Sequence, residues 1–101
     1  MSLIKVNSEN FESVKNSDSK VLLEFYSDWC GPCRMVAPVL DEIASERSDI
    51  IIGKVNVDND PALASAFGVV SIPTLVVLSG GIVVSRAVGA RSKSAILDMI
   101  G

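Results

Sequence analysis

The chain has 101 residues, of which 49% are apolar, with a formal net charge of −3 and a sequence pI near 4.7. That balance, with no basic cluster anywhere, speaks against nucleic acid or an anionic membrane surface as a partner and leaves proteins or small molecules. Histidine is absent and cysteine occurs twice, so the commonest general base and the commonest nitrogen ligand for metals are missing, as is any disulfide framework of the secreted kind.

In chain order, Leu3 to Val6 reads as a short strand, and Ser8 is placed to cap a brief helix carrying Phe11 and Val14 on one face. Nothing before this point has the apolar region of a secretory signal, so a cytosolic protein is expected. Asn16-Ser17-Asp18-Ser19 marks a turn. Val21 to Tyr26 then forms a nearly continuous apolar run, as a strand covered on both faces requires, and the mean hydropathy of +0.42 agrees with strands of that kind. Met35, Val36, Val39, Leu40 and Ile43 recur at helical spacing. This predicts a helix with Pro32 near its first turn, a kink at Pro38 and an end near Ser48.

Ile50 to Val57 is a second buried strand. Asn59-Asp60-Pro61 supplies a capping residue followed by a helix-starting proline, and Gly68 stops that helix. Thr74 to Leu78 and Ile82 to Val88 flank Ser79-Gly80-Gly81, a hairpin signal that predicts an antiparallel pair. Ser92 to Ile100 closes the chain as an amphipathic helix with Ala95, Ile96, Met99 and Ile100 inward. No run reaches the ~18 residues of a spanning helix. The alternation predicts one α/β domain over residues 1–101, a central mixed sheet flanked by helices on both faces.

Trp29-Cys30-Gly31-Pro32-Cys33 falls between a central strand and a helix start. Two cysteines separated by two residues there can close a disulfide and reopen it cheaply. Free N–H groups and the positive end of the helix dipole favour a thiolate at Cys30, while Cys33, one turn inward, should be buried and less acidic. Cys30 is therefore the expected nucleophile and Cys33 the resolving thiol. A purely structural disulfide would close a loop too short to remove much unfolded-state entropy, and zinc would need four ligands. Two ordinary buried cysteines are the third alternative.

The chain resembles the thioredoxin family over essentially its full length. The resemblance rests on Trp29-Cys30-Gly31-Pro32-Cys33, with Phe25 before it and Pro38 in the helix after it. Lys54, Asp58, Ile72-Pro73-Thr74 and Val88-Gly89-Ala90 then follow in the family's order. It implies the thioredoxin fold, a cis peptide before Pro73 facing the dithiol, and reduction of protein disulfides with no cofactor beyond the reversible Cys30–Cys33 pair. It also implies recharging by a thioredoxin reductase; the chain is expected to be a monomer. Trp29, Gly31, Pro32, Ile72, Pro73, Gly89 and Ala90 would then form a flat, mostly apolar surface for an extended peptide, paired through the backbone of Ile72.

Glu24 and Lys54 are ionisable residues inside core strands, and each is costly to bury without a partner. Adjacent strands would pair them; a strand edge would instead let Glu24 reach solvent. The family usually has a buried aspartate at Glu24, exchanging protons with the resolving cysteine, and often tryptophan at Tyr26, read here as packing on the active-site helix. Asp28 reads as solvated or capping. Two rivals share this pattern: an oxidant or isomerase of the same fold, which Gly31-Pro32 opposes because histidine-containing dipeptides accompany oxidising members, and a binding module without turnover.

Overall fold

The computed structural model describes residues 3–101. Along the chain run β1 (Leu3–Lys5), α1 (Phe11–Lys15), β2 (Lys20–Tyr26), α2 (Gly31–Glu46), β3 (Ile50–Asn56), α3 (Pro61–Ala66), β4 (Thr74–Ser79), β5 (Ile82–Val88) and α4 (Lys93–Ile100). The sheet order is β1-β3-β2-β4-β5, with β1, β3 and β2 parallel and β4 and β5 antiparallel. Mixed sheet and terminal hairpin are both as expected.

Strand alternation sorts the core into two layers. Leu22 of β2 and Ile50 and Ile52 of β3 join Val36, Leu40 and Ile43 of α2 and Ile96 and Ile100 of α4. Val21, Leu23 and Phe25 join Val14 of α1 and Leu63 and Ala64 of α3 on the other face. The Phe67 ring meets Phe11 edge-on at 5.5 Å and Phe25 at 5.3 Å, closing that second layer. Glu24 shares the parity of Leu22, and Lys54 that of Ile52. Both therefore face the α2 layer.

Three local expectations change. Ser8 does not cap α1, because its hydroxyl and its backbone N–H both go to the Asp60 carboxylate, at 2.7 and 2.6 Å. A tertiary partner outbids the local one. Asp60 meanwhile caps α3 by accepting from the Leu63 N–H at 3.0 Å, and these donors hold its carboxyl below the usual range, the Ser8 hydroxyl foremost. Asn10 stands at the N-cap of α1 without capping it, its amide being committed to the Lys5 carbonyl at 2.8 Å. Helix α2 ends at Glu46 rather than Ser48 and runs through Pro38. Met35, counted by periodicity among the apolar face, is exposed, since the stripe against the sheet is made by Val36, Leu40, Ile43 and Ala44, with Val39 packed at its edge.

Gly53, not singled out by the sequence, sits in the middle of β3, where a Cβ would meet Val6 Cγ2 at 2.6 Å and Leu23 Cδ2 at 2.9 Å. Val6 is branched at Cβ and Leu23 is fully buried, so neither can step aside cheaply. Gly53→Ala is expected to destabilise the fold by about 1–3 kcal/mol, read as a lower urea midpoint. An unchanged midpoint would show that Val6 and Leu23 move away without cost.

Candidate active site

The loop from β2 to α2 folds back on itself. Ser27 Oγ accepts from the Trp29 N–H at 3.3 Å, the Ser27 carbonyl accepts from the Cys30 N–H at 3.4 Å, and the Arg34 guanidinium donates to the Asp28 carbonyl at 3.0 Å. These bonds deliver Cys30 to the N-cap of α2. Its Sγ accepts from the Cys33 backbone N–H at 3.1 Å, and a disulfide joins the two residues, whose Cα atoms are 5.2 Å apart. Gly31 and Pro32 occupy the first turn, where proline's missing N–H has no partner to lose. When the disulfide opens, the Cys30 sulfur therefore lies where a backbone donor and the positive end of a 16-residue helix converge. Asp28 is exposed and caps nothing, as expected of a solvated residue.

Beneath Cys33 lies a cavity of about 180 Å³ lined by Glu24, Tyr26, Ser27, Asp28, Cys33, Arg34, Ala37 and Lys54. Glu24 is 0% exposed, so a reading in which it reaches solvent at a strand edge is excluded. β2 and β3 bring Glu24 and Lys54 into direct register. The Lys54 Nζ is 3.8 Å from Glu24 Oε1, too long for a hydrogen bond, and neither carboxylate oxygen has a hydrogen-bond partner. Burial dominates and pushes the Glu24 pKa from 4.5 up to about 7, against the opposing pull of the Lys54 charge. Lys54 itself is half-buried, its side chain 24% exposed. Tyr26 is not mere packing for α2, because the Lys54 ammonium lies over its ring, 4.7 Å from the centroid.

Around the dithiol, Trp29 is 85% exposed, and Gly31, Pro32 and Ala90 are exposed as well. The Ile72–Pro73 peptide is cis. Phe25 is in register with Thr74, and Thr74 with Val88, which places Pro73 and Gly89 at the same end of the sheet as the Cys30 loop. Gly89, at φ 95°, donates its N–H to the Pro73 carbonyl at 2.7 Å. Only a residue free of a Cβ adopts that backbone readily. The Ile72 side chain packs against the α1/α3 core, so what it offers a peptide is backbone. Sequence reasoning missed Ser27 and Arg34, whose roles come from loop closure, and Val70, whose 95% exposure in the α3–β4 connection has no periodic signature.

Among the described residues no group of three or more histidine, cysteine, aspartate or glutamate side chains is arranged to hold a metal ion, and no helix is long and apolar enough to cross a membrane. The thioredoxin family model matches residues 2–101. The chain belongs to the thioredoxin family. It is 50% identical over 96 residues to a thioredoxin of Mycobacterium tuberculosis, covering 93% of this chain and 83% of that protein. It is 51% identical over 88 residues to a bifunctional thioredoxin reductase/thioredoxin of Mycobacterium leprae, covering 86% of this chain but 19% of that larger protein. A solved point-mutant thioredoxin from Halobacterium salinarum NRC-1 superposes with a TM-score of 0.90 at 39% identity, over 97% of this chain and 87% of that one. With the Cys30–Cys33 pair as its redox group, the chain is a thiol-disulfide oxidoreductase of the protein-disulfide-reducing kind.

Proposed function

We propose that Cys30 carries the attack and Cys33 the resolution. The Cys30 thiolate attacks one sulfur of a target disulfide, forming a mixed disulfide and releasing the other target sulfur as a thiolate. Cys33 then gives up its proton and attacks Cys30 Sγ, closing the Cys30–Cys33 disulfide and releasing the second target thiol. Two electrons have passed from the dithiol to the target. The observation that carries this order is the asymmetry at the helix start: Cys30 Sγ accepts the Cys33 N–H, whereas Cys33 lines the cavity that holds Glu24; at 8% and 4% exposed, the two differ in partners and not in burial.

Glu24 is the proton acceptor in this reading. Its proton affinity near neutrality suits the exchange, and the cavity has room for solvent to carry the proton between the two side chains. Lys54 sets the charge that Glu24 meets. Trp29, Ile72, Pro73, Gly89 and Ala90 form the surface for an extended target segment, and a thioredoxin reductase, an activity fused to the thioredoxin of the M. leprae relative, returns the electrons. In this reading the domain works as a monomer in the reducing cytosol, which the Gly31-Pro32 dipeptide, without the histidine of oxidising members, fits.

Turnover of a protein disulfide by the reduced chain tests the activity, and its absence would favour a binding module. A reduction potential nearer about −270 mV than about −120 mV is expected, whereas a value above roughly −180 mV would favour an oxidant or isomerase. For the proton transfer, Glu24→Gln is expected to leave the attack near its normal rate and to slow resolution by about 10²-fold. Stopped-flow measurement of the two steps between about pH 6 and 9 separates them. An unchanged resolution rate would reduce Glu24 to a packed, paired strand residue.

A further inference from the structure

The contact between Tyr26 and Lys54 has no part in the chemistry above, yet it lies on the same cavity wall. Tyr26 follows Glu24 by two residues on β2 and so projects from the same face, while Lys54 stands in register opposite Glu24 and diagonal to Tyr26. The ammonium is thus held from two sides, by the carboxylate at 3.8 Å and by the ring at 4.7 Å to the centroid. No hydrogen bond fixes Nζ on Glu24. A flexible lysine stem with a quarter of its side chain open to water would gain hydration by swinging outward, and the aromatic face adds to the carboxylate's attraction in opposing that motion.

We propose that Tyr26 is a positioning residue whose ring keeps the Lys54 ammonium on the Glu24 side of the cavity, so that Glu24 is available to take the Cys33 proton at neutral pH. This rests on Glu24 acting as the proton acceptor. The other groups facing the carboxylate cannot substitute for Lys54. Arg34 is tied to the Asp28 carbonyl, Asp28 carries the wrong sign, Cys33 is the proton donor, and Lys5 of β1, in register with Lys54 on its far side, is exposed. A neighbouring cation favours the charged form of a carboxyl, so losing it raises the proton affinity of Glu24 further and leaves less free acceptor near neutrality.

The test compares Tyr26→Leu, Tyr26→Phe and Lys54→Gln, following the pH dependence of the resolution step and, in the oxidised protein, the Glu24 carboxyl resonance by carbon NMR. Tyr26→Leu should move both midpoints upward by about one pH unit, toward those of Lys54→Gln. Tyr26→Phe keeps the aromatic face and should restore the original midpoints. The double variant Tyr26→Leu/Lys54→Gln should shift no further than Lys54→Gln alone. Should Tyr26→Leu fail to fold, Tyr26→Met, which fills much of the volume without a ring, makes the same comparison. A Glu24 midpoint that moves in Lys54→Gln but not in the Tyr26 variants would overturn the positioning role. The two readings fail separately: a normal resolution rate in Glu24→Gln would remove the acceptor role, while the NMR midpoint would still report whether Tyr26 places Lys54.

Discussion

Cys33→Ser is expected to turn the chain into a trap that holds its target through Cys30, while Cys30→Ser loses turnover by on the order of 10³-fold or more. The difference follows from the helix start. Serine at position 33 keeps the backbone N–H that donates to Cys30 Sγ at 3.1 Å, so the thiolate and its attack survive the substitution. A hydroxyl cannot then displace the target sulfur, and the mixed disulfide accumulates. Serine at position 30 removes the sulfur that the N-cap geometry activates, leaving Cys33 buried and without that donor. Non-reducing electrophoresis or intact mass after mixing with a model protein disulfide reads the adduct directly. Equal adduct from both variants would overturn the assignment of roles.

The second large effect is on stability. Glu24 titrates at about 7 in the folded chain against 4.5 as an ordinary carboxyl, so between those pH values the folded state holds a proton that the unfolded state has released. Stability is therefore fullest below about pH 4.5 on account of this group and declines as pH rises through 7, by about 3 kcal/mol in all. Glu24→Gln should abolish that decline and be the more stable protein at pH 8. Lys54 limits the gain only in part, since its half-buried ammonium reaches water and is not stranded when the carboxylate goes. Urea midpoints of the oxidised wild type and variant at pH 5 and 8 decide the matter. A wild-type midpoint that does not change between them would mean that Glu24 is ionised at no cost to the fold.

Much of the site was legible because its chemistry is local. The Cys30–Cys33 spacing, the proline in the first helical turn and the strand that precedes them occupy one short stretch, and a helix N-terminus acts on whatever residue stands at its cap. Glu24 and Lys54 stood out as charges in apolar strands, which only pairing can tolerate. The same local logic failed at Ser8, where the capping preference was correct for the residue type but Asp60, 52 residues away, offered two oxygens instead. It failed at Met35 because periodicity gives a stripe and not its width. Which of several neighbouring apolar residues faces the sheet depends on how the helix is rolled against it.

Composition, period and the cysteine spacing by themselves determined the alternating strand-helix order, the two-sided core and the redox tetrapeptide, since each depends on residues near one another in the chain. The tertiary structure alone decided what surrounds the sulfurs. Registry between β2 and β3 set Lys54 beside Glu24. Registry from β2 through β4 to β5 carried Pro73 and Gly89 to the dithiol end of the sheet. Burial under α2 fixed the proton affinity of Glu24, and the diagonal across two strands put the Lys54 charge over Tyr26. These are distances between residues far apart in sequence, and the energies that depend on them, desolvation and charge separation, take their values only once the chain has folded.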